Sequence, residues 1–309
     1  MRRIVIDCDP GIDDAQAIMM AYQYPGVHIE AITTVAGNVG VEITSENALK
    51  ILDALDADPI PVYAGARTAL VETGNRASHV HGEDGLGDAG LPVSSRQLEV
   101  EAAALALIRL GKESPGELEL IAIGPLTNLA LALRLDPDLP SRYKRLVVMG
   151  GACYAQGNTP NLPVEFNFYA DPDAAAVVFD NWPMLTLVTW ETTLAHGIDL
   201  EKYNELMGID NKRSQFLNKI TRKLAIFMKE VFRRDVSYLA DPLAMAVLLE
   251  EDIVMEATEK HIQIERIGTL TRGMTVVDWF NHSQNEPNAL IINKVDHDRF
   301  FALLRMAFE

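Results

Sequence analysis

The sequence predicts an α/β protein built on a parallel sheet, and three observations carry that prediction. Apolar, β-branched runs alternate along the chain with segments of helical periodicity, the rhythm of repeated βαβ units. Two such units already fit within about the first sixty residues. The chain has 309 residues, 48% of them hydrophobic and 23% charged, which suits one large domain (1–309) with a sizeable core.

The elements follow in order. Ile4-Val5-Ile6 opens a first strand that runs into Asp7-Cys8-Asp9. Pro10-Gly11 then turns the chain into a helix from Ala15 to Tyr24, closed by Pro25-Gly26. Residues 27–35 (VHIEAITTV) alternate as a strand. A glycine-flanked loop, 36–40, leads to a helix over 42–55 and a short strand over 60–63. Residues 64–95 are rich in Gly, His and charge without periodicity, and a loop of that length in a compact domain is usually functional.

The βα rhythm resumes with a helix over 100–110, a strand over 118–123, and the turn Gly124-Pro125-Leu126-Thr127-Asn128. A helix over 129–135 and a strand over 145–149 follow, then a second long loop, 150–168. Next come a helix over 172–179 and a strand over 185–188. Residues 201–239 read as helices without strands, packed beside the sheet as a lid or subdomain. Ala240-Asp241-Pro242 opens another helix, and the last strands, 261–266 and 289–292, precede a helix over 296–306.

Composition narrows the partners. Net charge is −17 with no basic run, which argues against nucleic acid or an anionic membrane and suits a small neutral ligand. No stretch approaches the roughly 18 apolar residues needed to span a bilayer. The run after Arg2-Arg3 is broken at Asp7, so it reads as a strand and not a signal peptide. Cys8 and Cys153 are far apart in apolar contexts and read as reduced residues of a cytoplasmic protein.

The most informative stretch is Asp7 to Asp14, where four carboxylates (Asp7, Asp9, Asp13, Asp14) fall within eight positions at a strand-to-helix turn. Ligands bind at that edge of a parallel sheet. Like charges so close together call for a cation, and oxygen donors suit a hard divalent one. Asp13 or Asp14 alone also suits a helix cap, but capping leaves at least two of the four unexplained. Other polar residues gather at presumed strand ends: Asn38, His81, Thr127-Asn128, Asn158, Glu165, Asn167 and Asp241. Each also has a plain structural use, as a turn residue, a solvated side chain, a cap or a loop staple.

The motifs DxDxxxDD (7–14), AGN (36–38), HGxDG (81–85), GPLTN (124–128), VVMGG (147–151), EFN (165–167) with DPDAA (171–175), and ADPLA (240–244) occur in order along the chain. Together they resemble the inosine–uridine nucleoside hydrolase family over essentially its whole length. The resemblance implies an open, mostly parallel, Rossmann-like sheet with helices on both faces. It implies hydrolysis of the N-glycosidic bond of ribonucleosides with a bound Ca²⁺, in a homodimer or homotetramer. Carried over position by position, Asp9, Asp14, Asp241 and the Thr127 carbonyl would hold the calcium. Asp9 would also act as general base on a calcium-bound water. Asp13 and Asn167 would bind ribose hydroxyls with Asn38 nearby, Glu165 and Asn158 would reach the 5′-hydroxyl, and His81 and Met149 would lie near the sugar or base. Asp7 would buttress the site or simply close a strand end.

Two departures stand out. The inosine–uridine-preferring members carry a His immediately before the last calcium Asp, where this chain has Ala240. The leaving-group acid is therefore open among Tyr238, His81 and Arg233-Arg234, and so is base preference. The 5′-hydroxyl loop, 157–165, is one residue longer than the common pattern, which makes Asn161 a rival to Asn158. Two other readings compete. An aspartyl-nucleophile phosphohydrolase would fit Asp7-x-Asp9, but Gly11 stands where that motif needs Thr or Val. A non-catalytic nucleoside or ribose binder, or a hydrolase of a modified nucleoside, would fit the missing His.

Overall fold

The computed structural model describes residues 1–72, 76–232 and 235–309, with the side chains of 223–232 outside that description. In chain order the elements begin β1 (Arg2–Cys8), α1 (Ile12–Gln23), β2 (Val27–Thr34), α2 (Val41–Ala54), β3 (Val62–Ala64) and the single turn α3 (Ser78–His81). They continue α4 (Ala103–Glu113), β4 (Leu118–Ala122), α5 (Thr127–Leu135), α6 (Leu139–Arg142), β5 (Arg145–Met149), α7 (Phe166–Ala170), α8 (Pro172–Asn181) and β6 (Leu185–Val188). Then come α9 (Trp190–Ala195), β7 (Ile198–Asp199), α10 (Leu200–Met207), α11 (Lys212–Phe232), β8 (Val236–Ser237) and α12 (Ala240–Leu249). The chain closes with β9 (Val254–Lys260), β10 (Ile262–Ile264), β11 (Thr275–Val277), β12 (Ala289–Val295) and α13 (His297–Met306).

The main sheet runs β3-β2-β1-β4-β5-β6-β12-β9, parallel throughout except for β9. The chain leaves β1 for β2 on one side and returns through β4 on the other, which makes the β1/β4 boundary a topological switch point. Such boundaries open a crevice at the carboxyl ends of the strands. β1 is covered on both faces, so Ile4, Val5 and Ile6 are all buried and its sequence reads as a continuous apolar run. Ile4 and Ile6 join a core with Ile18 and Met19 of α1, Leu243 of α12 and Phe300 of α13. Val5 joins the opposite core with Leu107, Leu129 and Val178 of α4, α5 and α8. α12 is buried along its whole length against α1 and β5, as its uniformly apolar sequence requires.

Several sequence expectations shift. The stretch 261–266 leaves the main sheet: β10 pairs antiparallel with β11 in a separate hairpin. The edge strand is instead β9, whose sequence VMEATEK keeps Glu256 and Glu259 on an exposed rim and so lacks a buried apolar face. The helical region near 200–240 also carries two short strands, β7 and β8, which pair with each other. It is no separate lid, because Leu217 and Ile220 of α11 join the core on the Ile4 side. The helix expected over 100–110 starts at Ala103, since Glu99 bridges to Tyr63 and Val100 is fully exposed.

Candidate active site

The acidic turn lies at the carboxyl end of β1, on the β1/β4 switch point. Asp9 is buried just past the strand and accepts the Asn38 backbone N–H at 2.7 Å. The Asn38 side chain donates to the Asp9 carbonyl at 3.1 Å and to Asp14 Oδ2 at 3.4 Å. Asn38 is thus a brace for the turn and not merely a loop residue. A Cβ at Gly37 would collide with the Asp9 carboxylate, and one at Gly124 would come within 2.7 Å of it. The AGN and GPLTN motifs are therefore the two walls that admit this carboxylate.

Asp14 satisfies both of its readings. It accepts the Gly11 N–H at 2.9 Å and the Asp9 N–H at 3.2 Å, which caps α1. It also forms a trio with Asp13 and Asp241, whose ligand oxygens all lie within 4.8 Å of one another. Asp241 enters from the first turn of α12. The trio contains Asp13 where the expected ligand set has Asp9, which sits beside it. Burial, and then the charges of the neighbouring Asp residues, push the carboxyl groups of Asp9 and Asp241 well up, and Asp14 is raised to about 7. Largely buried oxygen donors of one charge, with no Lys or Arg lining the cavity among the described residues, fit a hard divalent cation.

Around this cluster is a cavity of about 350 Å³, walled by Asp9, Asp13, Asn38, His81, Met149, Asn158, Glu165, Asn167 and Asp241. Thr127 is not among the lining residues, and its hydroxyl donates to Asp171 at 2.7 Å. Asn128 serves the framework, donating to Asp7 at 2.8 Å and accepting the Ala66 N–H at 2.9 Å. Asp7 takes the Asn128 bond and one from Thr33 at 2.6 Å on Oδ1, while Oδ2 has no hydrogen-bond partner among the described residues. Burial pushes its carboxyl up to about 7.

His81 is held by the acidic turn. The Ile12 N–H donates to Nδ1 at 3.2 Å, which assigns the ring proton to Nε2. Burial lowers its pKa and keeps the ring neutral, against the pull of Asp13 at 4.0 Å. Both N–H groups of the Asn167 amide are spent on the carbonyls of Ile123 and Met149, each at 3.1 Å, so its Oδ1 is left to accept from a ligand. Glu165 caps α7, taking the N–H groups of Asn167 and Gly151 at 2.9 Å, while burial raises its carboxyl to about 7. Asn158 faces the cavity, whereas Asn161 turns away to the Arg272 carbonyl.

Sequence reasoning missed part of the wall. Ala77, His79, Val80, Ile123, Phe166 and Trp190 also line the cavity, together with Tyr238 and Ala240. Trp190 was findable, since Thr189-Trp190 follows β6 at the same edge as the acidic turn. Of the leaving-group candidates, His81 and Tyr238 are on the wall, and Arg233-Arg234 lies outside the described residues.

Comparison with known proteins matches this geometry to one family. The family model described as inosine-uridine preferring nucleoside hydrolase matches residues 4–302. The pyrimidine-specific ribonucleoside hydrolase of Salmonella arizonae is 35% identical over 310 residues, covering 97% of this chain and 96% of that protein. Among solved structures, an inosine-guanosine nucleoside hydrolase superposes with a TM-score of 0.92 at 36% identity, over 99% of this chain and 98% of that one. The purine-preferring ribonucleoside hydrolase from Gardnerella vaginalis gives 0.91 at 28% identity, with the same coverage.

Proposed function

The chain belongs to the inosine–uridine preferring nucleoside hydrolase family, and from that premise we propose that the acidic cavity at the end of β1 is where it cleaves ribonucleosides. It is a ribonucleoside hydrolase, an enzyme that releases base and ribose. The observation that carries the site assignment is the trio of half-buried Asp13 with buried Asp14 and Asp241, opening beside Asp9 into a nucleoside-sized cavity.

Asp14 and Asp241 would hold a Ca²⁺ ion, with Asp9 and the Thr127 carbonyl completing the set as the family pattern implies. Bound there, the cation would lower the pKa of a water and orient the ribose 2′- and 3′-hydroxyls. Asp9 takes the proton of the attacking water, its carboxylate aimed by the Asn38 N–H. Asp13, facing the cavity, accepts from the ribose diol, and so does Asn167 through its remaining Oδ1. Glu165 and Asn158 receive the 5′-hydroxyl. As the glycosidic bond stretches, positive charge develops on the sugar, and the surrounding carboxylates stabilise it. With Ala240 in place of a His, His81 Nε2–H and the Tyr238 hydroxyl are, among the donors on the wall, the two we assign to the leaving base.

The matched relatives are named for different bases: pyrimidine-specific, inosine–guanosine, and purine-preferring. Base preference therefore does not transfer by similarity. The reduced, buried Cys8 and Cys153 support a cytoplasmic setting, and a homodimer or homotetramer follows from the family pattern alone. The test is release of free ribose from a panel of ribonucleosides by the wild type, Asp9→Ala and Asp241→Ala. Both variants are expected to lose at least about a hundredfold in kcat. Wild-type rates in either variant would remove the site assignment.

A further inference from the structure

The loop that carries Asn158 is held by the Thr275 hydroxyl at Ala152, by Trp279 stacked on Tyr154 and, over its longest stretch, by Glu191. Glu191, in the first turn of α9, accepts three backbone N–H bonds from that loop. Cys153 donates to Oε2 at 3.0 Å, while Tyr154 at 2.8 Å and Gln156 at 3.2 Å both donate to Oε1. Between them Ala155 sits at φ 61°, a left-handed conformation that residues with a side chain rarely adopt unless their surroundings enforce it. Just beyond, the Gly157 and Asn158 N–H groups donate to the carbonyls of Leu162 and Val164 at 2.9 and 3.1 Å. The two clamps meet at Gly157-Asn158, where the chain reaches the cavity wall. Trp190, next to Glu191, lines the same cavity, so α9 ties the loop to the site from both sides.

We propose that Glu191 is a positioning residue: by gathering the N–H groups of 153–156 it sets the reach of Asn158 toward the substrate's 5′-hydroxyl. This rests on the role given to Asn158 above. The side chain's chemistry predicts a graded series. A carboxylate offers two acceptor oxygens to three donors. Glutamine in its place keeps Oε1 for Tyr154 and Gln156 but turns an NH₂ toward the Cys153 N–H, and alanine loses all three bonds.

The experiment compares kcat/KM for the best ribonucleoside of the panel with that for its 5′-deoxy analogue. It uses the wild type, Glu191→Gln, Glu191→Ala, Asn158→Ala and the double variant Glu191→Ala/Asn158→Ala. The preference for the 5′-hydroxyl is expected to fall about tenfold in Asn158→Ala and in Glu191→Ala, the loss of one well-placed hydrogen bond. Glu191→Gln should fall between them and wild type, and the double variant should be no worse than either single. If Glu191→Ala does not fold, Glu191→Gln, which keeps two of the three bonds, carries the test. Asn158→Ala lowering the preference while the Glu191 variants leave it intact would overturn the positioning role and spare the reading of Asn158. An equal loss on both substrates in the Glu191 variants would show a purely structural role and also overturn it. An unchanged preference in Asn158→Ala would remove the reading of Asn158, and this inference with it.

Discussion

Asp241→Asn should stabilise the metal-free protein and weaken the metal-loaded one. The substitution exchanges one oxygen for an NH₂ in a trio whose ligand atoms lie within 4.8 Å of one another. In that trio Asp241 hydrogen-bonds Asp14, and burial with the charges of Asp13, Asp14 and Asp9 holds its carboxyl well above the ordinary range. Asparagine keeps a donor for Asp14 without the proton that the raised carboxyl must take up on folding to escape the repulsion. Two unit charges at that spacing, with an effective dielectric of about 20, repel by about 3 kcal/mol, which is the ceiling on the relief. A gain of about 1–3 kcal/mol would raise Tm by a few degrees. Calcium at about a thousandfold over its Kd adds about 4.1 kcal/mol to the wild type, and the variant loses most of that gain with its ligand. Thermal unfolding of both proteins, in chelator and in calcium, should show the order reverse. A variant that melts below the wild type in chelator, or that keeps the full calcium shift, would refute the reasoning.

Two further predictions concern other parts of the molecule. Asn167→Ala strips the donors from the Ile123 and Met149 carbonyls as well as the acceptor for ribose; kcat/KM should fall by at least about tenfold, and unchanged steady-state kinetics would show that Asn167 does not face the sugar. At the opposite end of the sheet, burial pushes Glu119 up, but hydrogen bonds from Arg2 and Arg145 and the Arg145 charge outweigh it and hold the carboxyl at about 2. A carboxyl lowered on folding contributes stability in full above its unfolded value of 4.5, and that contribution is lost as pH falls toward about 2. Glu119→Gln should therefore cost about 3 kcal/mol near neutral pH, by urea unfolding, with the gap narrowing as pH drops below about 4.5; a gap independent of pH would contradict the pairing.

Much of this was legible because the buried parallel strands announce themselves. Residues 4–6 of β1, 120–122 of β4 and 146–148 of β5 are wholly buried apolar runs that lead on to Asp or Gly, whereas β2 alternates. The acidic turn was legible because repulsion among close carboxylates demands a reason. What escaped lacks such a signature. β9 exposes its glutamates and pairs with β12, a partner some thirty residues away in sequence, while β10 is too short to reveal which sheet it joins. Glu191 was invisible because its function lies in three backbone N–H groups, which no side-chain pattern records. The family resemblance put Asp13 at the sugar, yet folding α1 brings its carboxylate into reach of Asp14 and Asp241 as well.

If the acidic cavity cleaves ribonucleosides only with a divalent cation on its aspartates, metal occupancy and activity must rise together. Calorimetric titration of chelated protein with calcium, with ribose release followed on the same samples, tests it most directly. About one ion should bind per chain, in keeping with a single hard-cation site, and ribose release should return in proportion to occupancy. Full ribose release from the chelated protein, or tight calcium binding retained in Asp241→Ala, would contradict it.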